Sequence, residues 1–170
     1  MDDKKIMSPG IKGLLIALVL IVLSAALIVL DQFQNQIWGL VSTALFIGGI
    51  IWACVSFSKQ MDGNVTFGNL FSHGFKATAA IAALSAAWLL LATSVLFPSM
   101  MDKMLEVQRT AMEEKGMSDS DIDGALKTAA KFTKPMMIIA SVFINLLVGA
   151  IASLIGAAIA KKNPNTSMPQ

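Results

Sequence analysis

The chain has 170 residues, 55% of them apolar and 14% charged, with a net charge of +2. A soluble domain averages about 25% charged residues, and here the charges gather in short blocks between long uncharged ones, as in a chain that lives partly in hydrocarbon. The small net charge argues against a nucleic-acid partner, and the single cysteine, Cys54, excludes an intramolecular disulfide.

A bilayer core of about 30 Å needs roughly 20 helical residues, and four blocks reach that length. The first, 11–30, holds fourteen Leu, Ile or Val residues and one charge, Lys12, at its edge. Those side chains contribute roughly −4 to −8 kcal/mol to insertion. The block follows Lys4 and Lys5 as a signal peptide would, but its apolar stretch is too long for one, so it is expected to stay as a span. Asp31 to Gln36 reads as a tight polar turn into the second block, 37–57, which has no charge. Met61, Asp62, Gly63 and Asn64 read as another turn. Phe67, Leu70, Phe71 and Phe75 then recur at helical spacing, which suits either a short interfacial helix or the start of the third span. The third block, 77–97, contains eight alanines and is closed by Pro98.

Residues 99–134 form the one sizeable aqueous connector. Met101, Leu105, Gln108 and Met112 share a helical face, Gly116 is a stop signal, and Ser118 with Asp121 resembles a capping box. Ile122, Ala125, Leu126, Ala129 and Thr133 form a second, narrower stripe. Two amphipathic helices are expected, as a hairpin that continues spans three and four out of the membrane. The last block, 135–160, opens at Pro135 and carries no charge. The expected architecture is therefore all-α: a four-helix transmembrane bundle with an extramembrane amphipathic helical hairpin between spans three and four. Residues 1–162 form one transmembrane domain and 163–170 a disordered tail.

Basic residues set orientation. With both termini cytoplasmic, Lys4, Lys5, Lys12, Lys59, Lys76, Lys161 and Lys162 lie inside and Lys103, Arg109, Lys115, Lys127, Lys131 and Lys134 outside. The first span decides, with three basic residues before it and none directly after.

An ionisable group within a span marks function by default; Lys12 and Asp31 are expected at span edges, in reach of water. The sharpest pattern is in span four, where Ser141, Asn145, Gly149, Ser153 and Ala157 recur at i+4. Such a stripe serves helix packing or, less commonly, lines a polar pathway. Asn145 is expected to pair across helices, with Ser42, Thr43 or Ser85 as candidates. Ala79, Ala83 and Ala87 form a similar stripe in span three, and Gly49 and Ala53 in span two. His73 is expected at the surface, Cys54 as inert packing, Trp38 and Trp52 as interface anchors and Trp88 as packing. Met100, Met101, Met104 and Met112 suit either an adaptable binding face or plain amphipathic packing. No catalytic, metal or phosphate-binding motif is present, so neither enzyme activity nor a cofactor is expected.

The run Val65 to Ser72 followed by Gly74, the alanine-rich span ending in Phe97-Pro98, Lys134-Pro135 and the terminal Ile159-Ala160-Lys161-Lys162 resemble a bacterial family, domain of unknown function 4199. That resemblance implies a four-span protein of the bacterial inner membrane and supplies no activity or site residue. The functional expectation is a non-enzymatic accessory or scaffold protein, with the bilayer and either a second copy or another membrane protein as partner. The alternative is a small transporter or channel subunit using the span-four stripe.

Overall fold

The computed structural model describes residues 6–161. Among them there are five helices and no strand: α1 (Pro9–Val29), α2 (Gln36–Gln60), α3 (Phe67–Leu91), α4 (Ser99–Glu113) and α5 (Asp119–Ile159). The expected disordered tail, together with Lys4, Lys5 and Lys162, lies outside the described residues.

Local chemistry sets most boundaries. Ser8 caps α1 by accepting from the Ile11 N–H at 3.3 Å, and Pro9 occupies the first turn, where its missing N–H costs nothing. Asp31, at φ +56°, turns the chain after α1. Asn35 then caps α2 through the Ile37 N–H at 3.0 Å. Asp62 and Gly63, both at positive φ, make the turn after α2, and Thr66 caps α3 through the Asn69 N–H at 3.2 Å. Phe67, Leu70, Phe71 and Phe75 thus belong to α3 itself, which starts ten residues before Ala77. A wide π-type turn, Ala92–Leu96, carries the helix on until Pro98 stops it.

Gly116, at φ +74°, ends α4, and Ser118 caps α5 through the Asp121 N–H. α5 then runs unbroken through Pro135, so the helix that carries the last apolar block starts at Asp119, well before that block. The second amphipathic stripe is the first part of the same helix. Proline costs an interior helix one hydrogen bond and a clash with the i−4 carbonyl. Here Lys131 and Pro135 both lie on the exposed side, and long helical segments on either side maintain the turn.

Four helices are long and apolar enough to cross a membrane: Pro9–Val29, Gln36–Gln60, Phe67–Leu96 and Asp119–Ile159. α3 packs against α1, α2 and α5, and α2 against α1 and α5, so α2 and α3 form the inner pair. Ile16, Ala17, Phe46, Ile50, Ala53, Ala77, Ile81 and Ala152 are the main buried core, continued by Leu70, Ala157 and Ala160. Most of these residues sit toward the start of α1 and α3 and the end of α2 and α5. The core therefore fills one half of the molecule, here the terminal half. The other half carries α4 and the start of α5, here the arm.

Candidate functional site

The terminal half is drawn tight by glycines. A Cβ on Gly13 would fall 2.6 Å from the Ala77 carbonyl oxygen, and one on Gly74 2.8 Å from Ser153 Oγ and 2.5 Å from Cys54 Sγ. Into this seam goes Lys12. It is not at a water-reachable edge but fully buried, its Nζ donating to the Ala53 carbonyl at 3.2 Å and lying 5.7 Å from the Phe57 ring centroid. The cause is tertiary: the Met7 N–H donates to Gln60 Oε1 at 3.1 Å and Ser58 Oγ donates to the Lys161 carbonyl, drawing Met7, just before α1, and Lys161, just after α5, over the end of α2. His73 is likewise buried rather than at the surface, stacked on Phe57 with ring centroids 4.0 Å apart. Its Nε2 has no hydrogen-bond partner among the described residues. Cys54 is fully buried, its Sγ 3.5 Å from the Leu70 carbonyl oxygen.

The span-four stripe divides between the two halves. Gly149 and Ser153 are buried; a Cβ on Gly149 would overlap Thr78 Cγ2 and come 2.6 Å from Thr78 Oγ1. Ser153 Oγ donates back to the Gly149 carbonyl at 2.7 Å. Ser141 and Asn145 instead face a cavity, and Asn145 Nδ2 donates to Ser141 Oγ at 3.3 Å. The expected bond across helices is replaced by one within α5. Gly49 and Ala53 pack inward, the former against Ile16. Ala79, Ala83 and Ala87 do not: that face of α3 is exposed, and Ala77, Thr78, Ile81 and Ala82 make the contacts.

The cavity has a volume of about 330 Å³ and is lined by all four long helices. α1 contributes Ser24, α2 Ser42 and Thr43, α3 Ser85 and Trp88, and α5 Ser141 and Asn145. No ionisable side chain lines it. The Trp88 indole N–H donates to Ser24 Oγ at 3.2 Å. The Ser42 and Thr43 hydroxyls donate to carbonyls four residues back, both at 2.9 Å. Among the described residues, Ser85 Oγ and Asn145 Oδ1 have no hydrogen-bond partner.

Ser24 and Ser42 also line a neck of about 190 Å³ bordered by Phe33, Trp38, Gly39 and Met100. Phe33 and Met100 in turn border a groove of about 510 Å³ under α4, with Met104, Val107 and Met137. Thus Met100 and Met104 line this groove, while Met101 and Met112 do not. The outer rim carries Asp31, Lys103 and Glu106, with Lys103 Nζ 2.6 Å from Asp31 Oδ1. The single sequence clue to this cavity was that Asn145, Ser42, Thr43 and Ser85 were matched as partners; that they surround a void depends on how the helices diverge. Among the described residues no three His, Cys, Asp or Glu side chains gather in a metal-binding group.

No curated protein and no solved structure matches the chain. A family model described as "Protein of unknown function (DUF4199)" matches residues 12–162, from the buried lysine of α1 to just past the end of α5, and so takes in all four long apolar helices. The chain belongs to that DUF4199 family.

Proposed function

We propose that the chain is a multi-pass protein of the bacterial inner membrane, folded as a four-helix bundle with both termini cytoplasmic. Its role is that of a non-catalytic accessory or scaffold protein, whose arm meets a second copy or another membrane protein. The observation that carries this reading is the length of α5. Its 41 residues extend about 62 Å at 1.5 Å per residue, about twice the hydrocarbon thickness. The segment 119–134, rich in charge, therefore stands outside the bilayer, with α4 beside it.

Arg109 joins the two helices of the arm, with Nη2 2.9 Å from Asp123 Oδ1 and Nε 3.1 Å from Glu113 Oε1. The hydrogen bond to Glu113 and the charge of Asp123 hold its guanidinium above the ordinary pKa. Val107 and Phe132 are exposed on this arm, apolar surface that a partner would cover. The transport alternative finds no support: inward of Asn145 the helices close on Phe46, Ile50 and Ile81.

Mild amine crosslinking in native membranes tests the scaffold reading through Lys115, Lys127 and Lys131. The expected result is an adduct with a second copy or with another membrane protein, reduced by Phe132→Asp. Recovery of uncrosslinked chain alone contradicts it.

A further inference from the structure

We infer that the Asn145 cavity is a binding site for a small uncharged molecule, one with a hydrogen-bonding group and an apolar body, that enters from the arm through the neck at Gly39. Three observations carry this. The first is chemical. Ser85 Oγ and Asn145 Oδ1 present an unused donor and acceptor to the cavity, and at membrane depth an unmatched polar group is costly. No ionisable side chain lines the cavity to balance a charged ligand. Trp88 supplies a flat apolar wall whose own N–H is already engaged by Ser24.

The second observation is size and form. About 330 Å³ falls within the usual range of small-molecule pockets. The cavity is closed toward the apolar core, where Phe46 and Val148 line it, and the neck adjoins it on the other side. The neck shares Ser24 and Ser42 with the cavity and Met100 with the groove beneath α4. Methionine's flexible side chain suits a wall that must let a guest pass.

The third observation distinguishes a site from a packing fault. The same four helices approach in the terminal half until Gly13, Gly74 and Gly149 have no room for a Cβ. They separate where each of them carries a hydroxyl or an amide. A void that stays empty is apolar, whereas a polar one takes water or a ligand.

The test uses the full chain in detergent, with Trp38→Phe and Trp52→Phe leaving Trp88 as the sole tryptophan. The probe is 4-hydroxy-TEMPO, an uncharged nitroxide with a hydroxyl group and an apolar ring, which quenches tryptophan on contact. The inference expects saturable quenching of Trp88 together with an immobilised component in the nitroxide spectrum. The cationic trimethylammonium analogue should quench at least about tenfold less, and Asn145→Leu should weaken the neutral probe by about tenfold, the value of one or two lost hydrogen bonds. Gly39 lines the neck, and a Cβ there meets nothing within 4 Å, so Gly39→Leu should narrow the neck with little change in melting temperature. Quenching that never saturates, or that is equal for both probes or equal in Gly39→Leu, overturns the inference. So does quenching only by a phospholipid bearing the nitroxide on its acyl chain, which would identify the cavity as a lipid-filled gap.

Discussion

Lys12 illustrates how far a single side chain's role depends on its neighbours. Its ammonium is fully buried against the Ala53 carbonyl, with the Phe57 ring close by and His73 stacked on that ring. A buried charge costs several kcal/mol in desolvation, and a well-packed apolar replacement is often neutral or stabilising. Lys12→Met is therefore expected to melt at or above the wild-type temperature in detergent; a clear fall would mean that the bond to Ala53 outweighs desolvation. Gly149 gives the opposite sign. Leucine there must displace Thr78, and overpacking of this kind costs about 1 to 3 kcal/mol. Ile151, two residues on and 52% exposed, faces outward, so Ile151→Leu should be nearly silent. If the two variants melt alike, Gly149 is not a packing contact. The i+4 stripe was legible in the sequence, as was the need for small residues in it. That Ala79, Ala83 and Ala87 look outward was not, because alanine lies on nearly every side of α3 and its spacing selects no face.

Among the elements, the turns and caps were the most legible part. Asp31 to Gln36, Met61 to Asn64, the Gly116 stop and the Ser118 cap all fall where local chemistry puts them. Such features answer to backbone dihedrals and to the unpaired N–H groups of a first turn, both of which are local. Helix α5 continues through Pro135, as a connector that prolongs the last span would, because a proline's cost is local whereas helix continuation is decided by the turns on both sides. The arm depends on α4 and α5 staying together, and Arg109 is the ionic clasp between them. Arg109→Ala is expected to speed amide hydrogen exchange in α4 and in 119–127 severalfold and leave α1 to α3 unaffected. Unchanged exchange would assign the pairing of α4 with α5 to apolar contacts alone.

At the level of the whole molecule, the proposal of cytoplasmic termini rests on basic residues. The burial of Lys12 removes it from the flanking charges, leaving six basic residues on the terminal side and six on the arm side. The orientation then depends on the first span, with Lys4 and Lys5 before it and no basic residue in the turn after it. A cysteine at Glu114→Cys, in a Cys54→Ser background, tests this. An impermeant thiol reagent applied to intact spheroplasts is expected to label it. Labelling only after lysis would invert the topology and put the arm in the cytoplasm.

The sequence by itself determined the solvent this chain is built for and the number of its long apolar helices. Hydrocarbon demands runs of about 20 uncharged residues, and such runs can be read without knowing what they touch. It also determined where the chain turns, for the same local reason. Only the tertiary structure decided depth and direction: that Lys12 and His73 lie inside, that Gly149 and Ser153 join the tight half of the molecule, and that Ser141 and Asn145 line its open half. Those outcomes depend on the distance between helices. That distance is set jointly by Gly13, Gly74 and Gly149, each against a partner remote from it in the chain: Ala77, Cys54 and Thr78 respectively.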